Sequence, residues 1–191
     1  MVGNFDMQMS TRSEIIKIGD ELIRDKGYNA FSFYNISRAM GIKNASIHYH
    51  FPTKTDLGIA IVEEQIAALE GLIADSADKS PVERLKQYQS IYSRAQAENK
   101  VCLVGSLATD INSVDPEIRA HLKVMVDRIL EWVTDILKDG RDQGIFHFAA
   151  PPRTKALLVI STMLASLQLT RLTGERDFNT IKDTVIKELK A

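Results

Sequence analysis

GYNAFSFYNISRAMGIKNASIHYHFPTKTDL, residues 27–57, is the stretch on which the reading of this chain turns. Ser32 can cap a short helix carrying Phe33, Ile36 and Met40, which Gly41 ends. Lys43 or Asn44 starts another through Ala45, Ile47 and Phe51, closed before Pro52 because the residue preceding a proline avoids helical backbone. Gly41 supplies the positive φ that a tight turn between two helices needs. Ser37 and Ala39 are small enough for the helices to cross closely, and Ile36, Met40, Ile42 and Ile47 hold them together. The outer face of the second helix then presents Lys43, Asn44, Ser46, Tyr49 and His50. These polar groups can donate to phosphate or reach base edges in a major groove, so the pair reads as a helix-turn-helix.

Charge patterning agrees. Thirty residues, Lys26 to Thr55, contain no carboxylate; with Lys26, Arg38, Lys43 and Lys54 they carry +4, besides His48 and His50. The whole chain has a net charge of −1, so the remainder sums to −5. The total alone argues against nucleic acid, whereas its division argues for a basic reader joined to an acidic remainder.

Outward from this block the periodicity is helical. Thr11 and Glu14 have capping-box spacing and open a first helix with Ile15, Ile18, Leu22 and Ile23, stopping near Lys26-Gly27. Leu57, Ile61, Ile66, Leu69, Leu72 and Ile73 recur to about Ser76. Ser80-Pro81-Val82-Glu83 is a second capping box, leading a helix through Leu85, Tyr88, Ile91, Tyr92 and Ala95. Val101–Ile111 reads as helical. Asp115-Pro116-Glu117 opens a long helix through Ile118, Leu122, Met125, Ile129, Trp132, Ile136 and Leu137, closing near Gly140 or Gly144. Two more follow, about Thr154–Leu172 and Asp177–Lys190. No segment alternates like a half-buried strand. Ten glycines and five prolines in 191 residues are too few for a turn-rich sandwich. The fold class is therefore all-α, with about nine helices.

Cys102 is the one cysteine, so no internal disulfide is possible and a reducing, cytoplasmic setting is expected. The polar N-terminus does not resemble a signal peptide. The apolar run Ala156–Leu169 is interrupted by Ser161, Thr162, Ser166 and Gln168, and reads as too short and polar to span a bilayer. No membrane partner is expected.

Residues 27–57 resemble the N-terminal DNA-binding region of TetR/AcrR-type transcriptional regulators. The matching elements are Gly27-Tyr28, the Ser32 position, Ile36, Gly41-Ile42, Tyr49-His50-Phe51 and Lys54. Ser37 stands where the family usually has Ala. His48 stands where many members have Tyr, which often touches the DNA backbone. The resemblance implies a three-helix DNA-binding domain over residues 1–57 and a larger helical effector-binding and dimerisation domain over 58–191. It implies Lys43, Asn44 and Ser46 as base readers, Ser32 and Lys54 as phosphate anchors, and His48, Tyr49 and His50 as further DNA-binding residues. His48 and His50 point about 200° apart on a helix, which disfavours a metal pair.

A homodimer on a palindromic double-stranded operator follows, since one short helix reads few bases. Leu157, Leu158, Leu164, Leu167 and Leu169 exceed the needs of one helix face, which suits either an interface between subunits or burial within one. Tyr88, Tyr92, Cys102, Met125, Trp132 and Met163 are candidates for lining an effector cavity, with core packing as the alternative reading of each. Cys102 reads as an inert small hydrophobe or, beside Lys100, as a thiol sensing electrophiles or oxidants. No cofactor and no metal is expected. An enzyme or carrier built on a helical bundle is the rival. It lacks a Glu-x-x-His pair, a Gly-rich phosphate loop and a nucleophile elbow, so no catalytic residue is assigned. The function expected is a non-enzymatic DNA-binding regulator, a repressor by family default, released by a small-molecule or electrophile effector.

Overall fold

A computed structural model of the chain describes residues 2–191, with side chains from Thr11 onward. Nine helices and no strand occur among these residues: α1 Val2–Lys26, α2 Phe33–Met40, α3 Asn44–His50, α4 Lys54–Ala74, α5 Pro81–Ala97, α6 Leu103–Thr109, α7 Pro116–Asp142, α8 Pro152–Thr173 and α9 Glu175–Lys190.

Local signals account for most boundaries. Ser80 N–H donates to Glu83 Oε2 at 3.0 Å, and Glu83 N–H returns a bond to Ser80 Oγ at 3.4 Å, so the reciprocal cap at α5 forms as its spacing requires. The carboxyl of Glu83 is held below its usual range by the Ser80 hydroxyl first and the Ser80 N–H second. Gly41 sits at φ 66° and closes α2, with Ile42 N–H on Ser37 O at 3.1 Å. Every apolar position read onto the α7 face from Ile118 to Leu137 is buried.

Three readings need correction. Thr11 does not cap α1, which begins at Val2. No proline lies between Val2 and Ser10, and a helix once nucleated extends at little cost, so the capping-box spacing falls inside the element. Ala39 is exposed rather than wedged at the α2–α3 crossing, where Ser37 alone of the two small residues is buried. The apolar segment around Ala156–Leu169 belongs to a 22-residue helix, long and apolar enough by composition to cross a bilayer. One face of that helix, including Ala156, Val159, Met163, Leu167 and Thr170, is buried within the protein.

The chain divides into two compact units. The first comprises residues through Ile66 together with Leu103–Lys123; the second comprises Ala67–Cys102 and Val124–Ala191. Ile15, Ile23, Ile36, Ile47, Leu57, Ile61, Leu103 and Ile118 are buried in the first. The helix-turn-helix is thus part of a unit that includes α6 and the opening turns of α7. Polar bonds fasten that later segment. Ser106 Oγ donates to Ile23 O at the end of α1 at 2.6 Å, Asn29 Nδ2 donates to Ser113 Oγ at 2.6 Å, and Thr55 Oγ1 donates to Asp115. His121 Nε2 lies 3.5 Å from Glu63 in the same unit.

In the second unit Leu85, Tyr88, Trp132, Val133, Ile136, Phe146, Met163, Phe178 and Leu189 form the interior. Arg128 on α7 grips Glu70 on α4 through Nε at 2.5 Å and Nη2 at 3.0 Å, and this fork lowers the Glu70 carboxyl. Arg84 on α5 donates to Asp139 on α7 at 2.6 Å.

Candidate nucleic-acid interface

The first two turns of recognition geometry follow from helix phase. On α2, Phe33, Ile36 and Ser37 face inward, which leaves Tyr34 and Arg38 outward one turn apart. On α3 the inward residue is Ile47, so Lys43, Asn44, His48 and Tyr49 are exposed and Ser46 and His50 are half-buried. Tyr49 is 72% exposed. Neither helix has an acid in its first turn, so the positive ends of both dipoles are left unneutralised.

Three of the expected residues have internal tasks. Ser32 donates from both its N–H, at 2.8 Å, and its hydroxyl, at 3.0 Å, to Asn35 Oδ1. A phosphate at this end would meet the first-turn amides of α2 rather than the hydroxyl proton. His48 Nδ1 lies 3.2 Å from Pro52 O, and its ring meets Phe33 edge-on at 4.9 Å. It thereby ties the end of α3 to the turn after it. Lys54 Nζ donates to Phe31 O at 2.8 Å and lies 4.5 Å and 4.4 Å from the Tyr28 and Phe31 ring centres. Burial lowers its pKa, against the opposing pull of Asp110.

The ammonium of Lys54 therefore closes the α1–α2 loop onto α4. Lys54→Met should lower unfolding stability by about 1–3 kcal/mol, because the Phe31 carbonyl loses its partner. The check is a denaturant titration without DNA, alongside the salt slope of DNA binding. An unchanged midpoint with a slope reduced by about one phosphate would assign Lys54 to the DNA backbone instead.

Two outward residues escape a motif-based reading. Tyr34 is 59% exposed, and the Arg38 guanidinium lies 5.8 Å from its ring. Once Phe33, Ile36 and Met40 are set inward, the 100° step of the helix places 34 and 38 together on the outer face, so the signal was present in the phase of α2. The Arg12 guanidinium lies 5.0 Å from the Phe51 ring.

This geometry coincides with two family models. Residues 15–61 match the model described as bacterial regulatory proteins, tetR family, and residues 81–180 match a tetracyclin repressor-like C-terminal domain. The chain belongs to the TetR family. It is a DNA-binding transcriptional regulator of all-α fold. A TetR-family transcriptional regulator from Agrobacterium tumefaciens superposes with a TM-score of 0.89 at 27% identity, covering 96% of this chain and all of that one. A TetR transcriptional regulator from Legionella pneumophila gives 0.83 at 31%, covering 93% and 96%. The HTH-type transcriptional repressor DhaR of Mycobacterium sp. strain GP1 is 21% identical over 162 residues, 83% of this chain and 81% of that one.

In this TetR-family regulator the six expected effector residues are all buried in the second unit. Tyr88 and Tyr92, one turn apart on α5, share a hydrogen bond between their hydroxyls at 3.0 Å and meet edge-to-face at 5.4 Å. Tyr88 also meets Trp132 edge-to-face at 6.0 Å. Burial pushes the Tyr88 phenol well above its ordinary value, with smaller contributions from Tyr92 and Cys102. Burial, then Cys102, raises Tyr92. Lys100 places its ammonium 3.2 Å from Glu98, so the positive neighbour that sequence offers to Cys102 is paired with a carboxylate. Trp132 Nε1 is buried with no hydrogen-bond partner, a deficit worth roughly 1–3 kcal/mol. Gln89, not singled out by sequence, is buried beside this array and donates to Lys182 O at 2.8 Å. Its position four residues after Leu85 and three before Tyr92 puts it on the buried stripe of α5, a cue that its polar side chain masked.

Proposed function

We propose that the protein is a homodimeric cytoplasmic repressor that binds a palindromic operator and leaves it when a small molecule occupies the interior of the second unit. The observation carrying the DNA half of this reading is the exposed row Lys43, Asn44 and Tyr49 at α3, set in a stretch of sequence without acids from Lys26 to Thr55. Similarity to a transcriptional repressor supports the sign of regulation. Ser46 and His50 border the row, Arg38 and Tyr34 extend it, and Ser32, His48 and Lys54 shape it. Selection of bound duplexes from a random pool tests the proposal. Two inverted half-sites spaced by about one helical turn, roughly 34–36 Å, are expected. A pool that stays random overturns it.

The dimer is supported by α8. Leu157, Leu158, Leu169 and Leu172 are 43, 56, 55 and 89% exposed, while the opposite face of the same helix is buried. Four exposed leucines on one helix form an apolar surface that a second subunit would cover. Leu158→Lys combined with Leu169→Lys should convert the dimer to monomer at micromolar concentration in sedimentation equilibrium. Operator affinity should fall with it. A dimer that survives both charges places the interface elsewhere.

The effector would bind the conformation that does not fit DNA more tightly and so shift the population. Two routes lead from the second unit toward the reader. Helix α4 runs from Lys54, at the end of the helix-turn-helix, into the second unit. Helix α6 follows Cys102 directly and is bonded through Ser106 to the end of α1. Non-covalent occupancy is the form of signal we favour, since Lys100, the cation near Cys102 in sequence, is already paired with Glu98.

A further inference from the structure

We infer that the effector is an uncharged, largely apolar molecule bearing a hydrogen-bond acceptor such as a carbonyl oxygen, taken up between α5 and α7 beside Trp132 and Tyr92. This rests on the effector-release reading above and adds the chemistry of the ligand.

The polar groups of this interior offer protons, and one of them lacks an acceptor. Trp132 Nε1–H is buried without a partner. Tyr88 and Tyr92 have two phenolic protons and one hydrogen bond between them. Both phenols are held protonated by burial, so neither offers a negative charge. Arg84 and Asp139, on the same two helices, are paired with each other through Arg84 Nη1 at 2.6 Å, while Arg84 Nε is buried without a partner. A carboxylate entering the array would have to compete with Asp139 for Arg84, and an ammonium with Arg84 for Asp139; burying either unpaired is costly. The three rings also pack edge-to-face on one another at 5.4 Å and 6.0 Å, which is a stacked core and not a cage spread around a cation.

Space for a guest comes from thioethers. Met125 lies two turns before Trp132 on the same buried face of α7, and Met163 Sδ is 4.0 Å from Gln89 Nε2. Methionine repacks at low cost, so these two side chains can yield volume without breaking a polar contact stronger than that to sulfur. An acceptor oxygen then completes the indole N–H, which the closed core leaves unsatisfied, and can take the phenolic proton not used between the two tyrosines.

The chain's one tryptophan makes the site self-reporting. Acetylcyclohexane, cyclohexanecarboxylate and cyclohexylmethylammonium share one skeleton and differ in charge. Each would be titrated into the full-length protein while Trp132 emission and the mobility of an operator duplex from the selection above are followed. The neutral ketone should shift the emission and release the duplex, while the two ions do neither at the same concentration. Tyr92→Phe, which keeps the reporter, should raise the ketone midpoint at least fivefold. Trp132→Phe should raise the ketone concentration needed for release by a similar factor.

Saturation by either ion at or below the ketone's concentration overturns the inference. So does an emission that no compound moves up to its solubility limit, or a midpoint unchanged by Tyr92→Phe. An emission shift with the duplex still bound supports the ligand chemistry and overturns effector release instead, so the two ideas fail separately.

Discussion

Gly140→Ala should destabilise the second unit by about 3 kcal/mol, although the same exchange in an exposed helix stabilises by about 1 kcal/mol. The reversal comes from Phe146. Gly140 lies within α7, and the chain turns back just beyond it, with Ile145 N–H and Phe146 N–H both on Gly140 O at 2.8 Å and 2.9 Å. The Phe146 ring is thereby laid across the Gly140 Cα. A Cβ there would stand 2.0 Å and 2.5 Å from two ring carbons. Phe146 is 1% exposed, so the ring has no open space to move into. It must leave the core or push α7 aside, and losing an aromatic ring from a core costs about 3–5 kcal/mol. The denaturant midpoint should fall with an unchanged m-value. Phe146→Leu in the Gly140→Ala background should recover part of the loss. A variant as stable as the parent would mean that the turn after α7 rearranges freely.

Lys43→Ala should have the largest effect on function. Lys43 is the exposed N-cap of α3, and no internal hydrogen bond or ion pair involves its side chain among those described. Removing a base-reading side chain costs about 1–3 kcal/mol per contact. In a dimer the substitution occurs in both half-sites, so the expected loss is about 2–6 kcal/mol, on the order of 30-fold to 10⁴-fold in Kd. Anisotropy titrations on the selected operator and on a scrambled duplex, at several salt concentrations, separate two roles. A loss confined to the operator marks a base contact. An equal loss on both duplexes, with a salt slope reduced by about 0.9 per phosphate, reassigns Lys43 to the backbone.

What the sequence made legible was local. Ser32, Gly41, Ser80 with Glu83, and the Ile118–Leu137 stripe all act over a few residues, so their spacing alone specifies helix ends and buried faces. Two local signals misled. Thr11 has the spacing of a cap without the break before it that a cap needs, and Gly140 resembles a helix end because glycine also serves close packing. The true left-handed residue after α7 is Gly144, at φ 68°.

The site was legible as a set of residue types and less so as tasks. Lys54, Ser32 and His48 carry polar atoms suited to phosphate, yet their partners are Phe31 O, Asn35 Oδ1 and Pro52 O. Those contacts depend on how a loop closes, which no periodicity encodes. The tie between Asn29 and Ser113 spans 84 positions and could not be read from either neighbourhood. The orphaned indole of Trp132 was likewise invisible, because an inward tryptophan normally finds an acceptor for its N–H.

The fastening of Leu103–Lys123 onto the first unit bears on protein engineering. Chimeric regulators are commonly imagined as a reader cut after the helix-turn-helix and spliced to a foreign sensor. Here that cut would leave Ile23 O and Asn29 without Ser106 and Ser113, and Thr55 without Asp115. It would also uncover the apolar side chains that Leu103, Leu107 and Ile118 help bury. A transplantable cassette from this regulator therefore consists of two non-contiguous pieces, and the graft must carry the later one to keep the specificity of the earlier.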